Sequence, residues 1–146
     1  MTKIAIGILA CGALLQAVAG DVNWMTDVPK AQAKAKEENK LVLLDFTGSD
    51  WCPWCMKLNK EVFSTPEFAA YAQKNLVPVE VDFPRNKAQT DEQKKANDAL
   101  QQKYKVEGYP TVVVLDSQGK KIGELGYEPG GPKPFIAKLD GLKKKS

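Results

Sequence analysis

The sequence predicts an α/β domain, and three observations carry the prediction. An aliphatic run at 41–46 and an alternating run at 77–83 enclose segments with helical spacing, the pattern of a crossover between parallel strands. A β-branched run at 111–115 follows the break Gly108-Tyr109-Pro110, and the turn Asp116-Ser117-Gln118-Gly119 leads it back into 120–125 as an antiparallel edge strand blunted by lysines. The length of 146 residues, 43% hydrophobic and 27% charged, gives one globular domain with a real core.

Residues 1–19 read as a signal peptide. Met1-Thr2-Lys3 is a short basic start, 4–17 is a nearly unbroken apolar stretch, and Ala17-Val18-Ala19 is a small-x-small site. The stretch is shorter than the ~20 residues a spanning helix needs. Cleavage after Ala19 and export, to the periplasm or beyond the cell, are expected, with a single domain over 20–146. Two rivals stay open: a lipoprotein box at Ile8-Leu9-Ala10-Cys11, and an uncleaved anchor. Cleavage would take Lys3 from the 21 Lys+Arg and leave 18 Asp+Glu, so the net charge would fall from +3 to +2. It would also take Cys11 and leave two cysteines, a lone close pair suited to redox work rather than to stapling a domain.

After the leader, Trp24 begins a short first strand. Thr26 or Asp27 caps a helix with Pro29 near its first position, running to about Asn39. The run 41–46 suggests a central strand buried on both faces. Cys55, Leu58 and Val62 give the next helix its spacing. Ser64-Thr65-Pro66-Glu67 starts another, with Phe68, Tyr71 and Ala72 inward. Thr90-Asp91-Glu92-Gln93 fits a capping box for a helix to about Lys105, whose inner stripe is Ala96, Ala99, Leu100 and Lys103-Tyr104. A last helix runs from about Pro134 into Lys143-Lys144-Lys145, where cations suit a helix C-terminus.

The chemistry is concentrated in Trp51-Cys52-Pro53-Trp54-Cys55, at the junction of a strand, the turn Thr47-Gly48-Ser49-Asp50, and a helix start. Free N–H groups and the partial positive charge at a helix N-terminus favour a thiolate, and can lower a cysteine from about 8.5 into the range ~3.5–7.5. Pro53 is tolerated at the first helical position. Cys52 is expected to be the exposed attacking thiol and Cys55 the more buried resolving one. The chain has no histidine, which removes histidine dyads and imidazole metal sites. Zinc normally takes four ligands, a c-type haem needs histidine where Met56 stands, and a structural bridge across so short a loop would stabilise little. The small, dispersed positive charge gives no argument for nucleic acid. No cofactor and no metal are expected.

These residues resemble the thioredoxin family. Asp45-Phe46, the WCPWC motif and Gly108-Tyr109-Pro110-Thr111 leading into a strand carry the resemblance over about residues 22–142. The motif region is similar to the C-terminal domain of the periplasmic disulfide reductase. The resemblance implies a thioredoxin-like fold, a mixed four- or five-stranded sheet with helices on both faces, and a cis peptide at Tyr109-Pro110 facing the cysteines. It also implies that the Tyr109 backbone pairs with bound substrate. Because Trp51 and Trp54 stand beside the cysteines, at least one of them is expected to form the apolar rim that substrate polypeptide touches. The turn 47–50 is one residue longer than in the commonest thioredoxins, so Asp45 or Asp50 could serve as the carboxylate that manages the Cys55 proton. Asp45 is favoured, at the end of a buried strand where its pKa would be raised.

The expected function is thiol–disulfide exchange with protein substrates through Cys52 and Cys55, as a reductant rather than a strong oxidant, by a monomer fed from a membrane or soluble thiol electron donor. The alternative is a non-catalytic peptide-binding or chaperone module of the same fold.

Overall fold

The computed structural model describes residues 21–146; the expected leader, with Cys11, lies outside the described residues. In chain order come α1 (Val28–Glu38), β1 (Leu41–Thr47), α2 (Pro53–Leu58) continued by a π-helical turn (Asn59–Phe63), α3 (Pro66–Asn75), β2 (Leu76–Asp82), α4 (Asp91–Lys103), β3 (Thr111–Leu115), β4 (Lys121–Leu125) and α5 (Pro132–Lys143).

Local chemistry sets these boundaries. The side chains of Asp27, Thr65 and Thr90 each accept from the amide three residues on, capping α1, α3 and α4. Asn39 ends α1 in the left-handed region at φ 53°, a conformation asparagine tolerates better than most residues. The capping box at Thr90 is half made. Gln93 donates to Thr26 O and Asn97 Oδ1 rather than closing back on the cap.

The four strands lie in the order β2-β1-β3-β4, with β1 parallel to β2 and antiparallel to β3, and β4 antiparallel at the edge. The strand expected at Trp24 reduces to one bridge between Met25 and Val79. Met25 N–H donates to Pro78 O and Met25 O accepts from Glu80 N, both at 2.9 Å. That outer side of β2 is where the missing N–H of Pro78 falls, so the proline breaks no bond to β1.

Every residue of β1 is buried, as a strand covered on both faces requires. One face holds Val42, Leu44, Phe46, Val77, Val79 and Val81 beneath α1 and the C-terminal part of α4. The other holds Leu41, Leu43, Leu76, Val112 and Val114 against α2, α3 and α5 through Leu58, Phe68 and Phe135. The stripe expected on α4 is corrected: Ala96 and Ala99 are exposed, Leu100 and Tyr104 are half-buried, and the buried residue of the helix is Asn97. Asn97 is held there because its amide donates to Asp82 O at 2.9 Å.

Candidate functional site

Strand alternation decides what lies beneath the cysteines. With Leu41 and Leu43 on the α2 face, Asp45 and Thr47 fall on it too, and the register places Glu80 and Asp82 beside them, Asp45 opposite Glu80 and Thr47 opposite Asp82. The α2 end of the sheet therefore carries three carboxylates under the motif.

The turn after β1 is held from two sides. Asp82 accepts from Ser49 N and Ser49 Oγ at 3.0 and 2.6 Å and pairs with Lys87 Nζ at 3.2 Å. Asp50 accepts from Arg85 N and Asn86 N at 3.0 and 2.8 Å. Those backbone bonds, the Arg85 one first, hold the Asp50 carboxyl below its usual range. Asp50 therefore ties the turn to the 84–86 loop, and nothing brings it to Cys55.

Trp51 folds back over this turn. Its Nε1 donates to Phe83 O at 2.8 Å, the Arg85 guanidinium lies 3.7 Å from its ring centroid, and its edge meets Tyr109 with centroids 5.9 Å apart. Gly48 leaves the space for it, since a Cβ there would stand 2.7 Å from Trp51 Nε1. Tyr109 in turn stacks on Phe83 at 5.2 Å and donates its hydroxyl to Gln101 Oε1 at 2.8 Å. The Tyr109–Pro110 peptide is cis.

Cys52 caps α2. Its own amide donates to Gly48 O at 2.9 Å, and its Sγ accepts from Cys55 N at 3.2 Å. The two cysteines are joined as a disulfide with Cα atoms 5.2 Å apart, within the span such a bridge needs. The expected contrast between an exposed Cys52 and a buried Cys55 is corrected: each is 4% exposed. The cap bonds hold Cys52 inward at the head of α2.

Cys55 borders a cavity of about 140 Å³ together with Asp45, Thr47, Ser49 and Glu80. Asp45 is buried, and its Oδ1 has no hydrogen-bond partner among the described residues. Burial, and after it the negative charges of Glu80 and Asp82, push the Asp45 carboxyl up to about 8. Glu80 is half-buried and raised as well, by burial and by Asp82, with Lys87 opposing.

Met56, 44% exposed, lines the cavity of Cys55 and Asp45, whereas Trp54 stands away from it, 55% exposed. It is steadied rather than loose. Lys57 Nζ lies 5.3 Å from the ring centroids of both Trp54 and Tyr127, and Tyr127 donates to Glu61 Oε2 at 2.7 Å. Of the aromatic pair read from the motif, Trp54 faces solvent and Trp51 belongs to the frame.

Glu80, Asp82, Arg85 and Tyr127 escaped the sequence reading. Alternation in 77–83 marks Glu80 and Asp82 as one face, but only the β1–β2 register puts that face under the cysteines.

The description "thioredoxin-like domain" fits residues 28–141 of this chain. The disulfide bond reductase DsbH of Chlamydia pneumoniae is 38% identical over 121 residues, covering 83% of this chain and 72% of that protein. A solved structure of a DsbH oxidoreductase superposes with a TM-score of 0.83 at 33% identity, over 98% of this chain and 95% of that one. The thiol:disulfide interchange protein DsbD of Photorhabdus laumondii is 34% identical over 91 residues, which are 62% of this chain and 14% of that protein. The paired cysteines and these likenesses identify a thiol–disulfide oxidoreductase. The chain belongs to the thioredoxin-like family.

Proposed function

We propose that the chain reduces disulfides in exported proteins, with Cys52 as the nucleophile and Cys55 as the resolving thiol. The observation that carries this reading is Cys52 Sγ held at the head of α2 by the Cys55 amide, while Cys55 shares its cavity with Asp45.

In the reduced protein the Cys55 amide and the helix N-terminus favour a Cys52 thiolate. This thiolate attacks one sulfur of a substrate disulfide, the substrate S–S bond breaks, and the other substrate sulfur leaves as a thiolate that takes a proton from water. Cys55 then gives its proton to the Asp45 carboxylate and attacks Cys52 Sγ. The bond from Cys52 to substrate breaks, the substrate leaves reduced by two electrons, and the Cys52–Cys55 disulfide remains. Asp45 is suited to the proton because its raised pKa lies near that of a thiol, and proton transfer is most efficient between matched groups. An electron donor with a dithiol of its own, membrane-bound or soluble, must return the pair to the reduced form.

Trp54 supplies the exposed apolar rim for substrate polypeptide, and the Tyr109 backbone at the cis-Pro110 peptide supplies a hydrogen-bonding edge. Trp51 acts by holding Tyr109 in place. Export rests on the leader-like residues 1–19, followed by a domain over 20–146. The reductive direction rests on the Pro53-Trp54 dipeptide, which lacks the histidine that would stabilise a thiolate further, and on likeness to a protein named a disulfide bond reductase. Equilibration of the pair against glutathione tests the direction. A potential at or below about −200 mV is expected of a reductant, whereas one near −120 mV would make the protein an oxidant.

A further inference from the structure

Three side chains are arranged around Trp54, although its ring is more than half exposed and burial does little to fix it. Lys57 lies three residues on and Glu61 four beyond that, which puts both on the Trp54 face of α2 and its π-helical continuation. Tyr127 reaches the same place from the loop after β4, its ring 5.2 Å from that of Trp54 and tilted by 42°. Lys57 Nζ sits 5.3 Å from the centroids of both rings. Glu61 links the two supports: one oxygen accepts from the Tyr127 hydroxyl at 2.7 Å, and the other stands 4.0 Å from Lys57 Nζ.

Fold stability does not account for this arrangement. Lys57 and Glu61 are both partly exposed, and ion pairs and cation–π contacts in that setting contribute little to folding. The contacts act instead on freedom of motion. A loose tryptophan must be ordered when it meets a partner, and that ordering weakens binding severalfold. We propose that Lys57 and Tyr127 are positioning residues for substrate docking, which hold the Trp54 ring in one orientation before substrate polypeptide arrives. The inference rests on Trp54 as the docking rim proposed above.

Each support acts through a different property. Lys57 acts as a cation drawn to the faces of two rings, so arginine can replace it and an uncharged chain cannot. Tyr127 acts through its aromatic ring, and its hydroxyl fixes that ring on Glu61. Because Tyr127 belongs to the loop after β4, the motif helix and that loop are joined at the rim that substrate meets.

The test is steady-state reduction, by the full chain, of a disulfide-bonded peptide with apolar residues beside its cysteines and dithiothreitol as electron donor. Lys57→Met keeps the alkyl stem without the charge and should raise KM about fivefold with kcat unchanged. Lys57→Arg should keep KM near the parental value, and Tyr127→Leu should raise it about as far as Lys57→Met. In a Trp54→Ala background neither Lys57→Met nor Tyr127→Leu should add a further change, because each acts through that ring. The nitrogen heteronuclear NOE of the Trp54 indole N–H, which reads fast motion of the ring, should fall in Lys57→Met. A merely structural contact would not tie the change in KM to Trp54 in this way. Parental KM in Lys57→Met or Tyr127→Leu, an unchanged NOE, a Lys57→Arg variant no better than Lys57→Met, or an equal rise in KM on the Trp54→Ala background would overturn the proposal. Parental KM in Trp54→Ala alone would overturn it together with the docking reading on which it rests.

Discussion

The Cys55 amide donates to Cys52 Sγ at 3.2 Å, so the second cysteine of the motif supplies a hydrogen bond to the sulfur of the first. In the oxidised form this bond caps α2. On reduction the same donor faces a sulfur free to carry charge, and charge-assisted hydrogen bonds are about twice as strong as neutral ones. The Cys52 thiol should therefore titrate below about 8.5, the value of a free cysteine. Thiolate absorbance followed across pH should show one group ionising below the free-cysteine value and Cys55 ionising later. A Cys52 titration at or above the free value would contradict the thiolate account and favour the peptide-binding reading.

Asp45 makes a prediction of opposite sign for stability and for rate. Its folded pKa of about 8 lies above the ordinary 3.8, so folding binds a proton more tightly than the unfolded chain does. The corresponding stability is complete below about pH 4 and is lost as pH rises through about 8. Asp45→Asn should remove that loss, and thermal or urea unfolding at about pH 9 should show a gain on the order of 2–4 kcal/mol that shrinks towards pH 5. The same substitution should slow resolution of the mixed disulfide and flatten its rise with pH near 8. Equal gains at both pH values would show that burial does not hold this proton.

Trp51 should act on the frame, Trp54 on substrate. Trp51→Ala removes the bond to Phe83 O, the Arg85 stack and the contact to Tyr109. A loss of about 2–3 kcal/mol in urea unfolding is expected of a half-buried tryptophan.

Trp54, more than half exposed, should change stability by no more than about 0.5 kcal/mol when replaced by alanine. Its loss should raise KM for a disulfide-bonded protein several-fold and leave reduction of a small aromatic disulfide unchanged. Equal effects on both substrates would place Trp54 outside the docking surface.

The sequence made the architecture legible because its signals were local. The aliphatic run of β1, the proline-led starts of α3 and α5, and the turn at 116–119 each act over a few residues. Cys52, Cys55 and Pro110 were legible for the same reason, as motifs of fixed spacing. What stayed hidden depended on contacts between distant segments. The burial of Cys52 comes from cap bonds to Gly48 and Cys55, which no spacing encodes. That Asp50 is drawn away from Cys55 follows from where loop 84–86 lies, and the place of Glu80 beside Asp45 follows from a strand register that shifts every side chain to the other face if it slips by one. Asn97 looked like surface on a lysine-rich helix until Asp82 O supplied its partner.

Insulin reduction with the single-cysteine variants tests the central assignment most directly. Cys52→Ser should lose activity altogether, while Cys55→Ser should accumulate a covalent adduct with the insulin chain that dithiothreitol releases. Full activity in Cys52→Ser, or an adduct formed through Cys55 instead, would contradict the assignment of the nucleophile and the mechanism built on it.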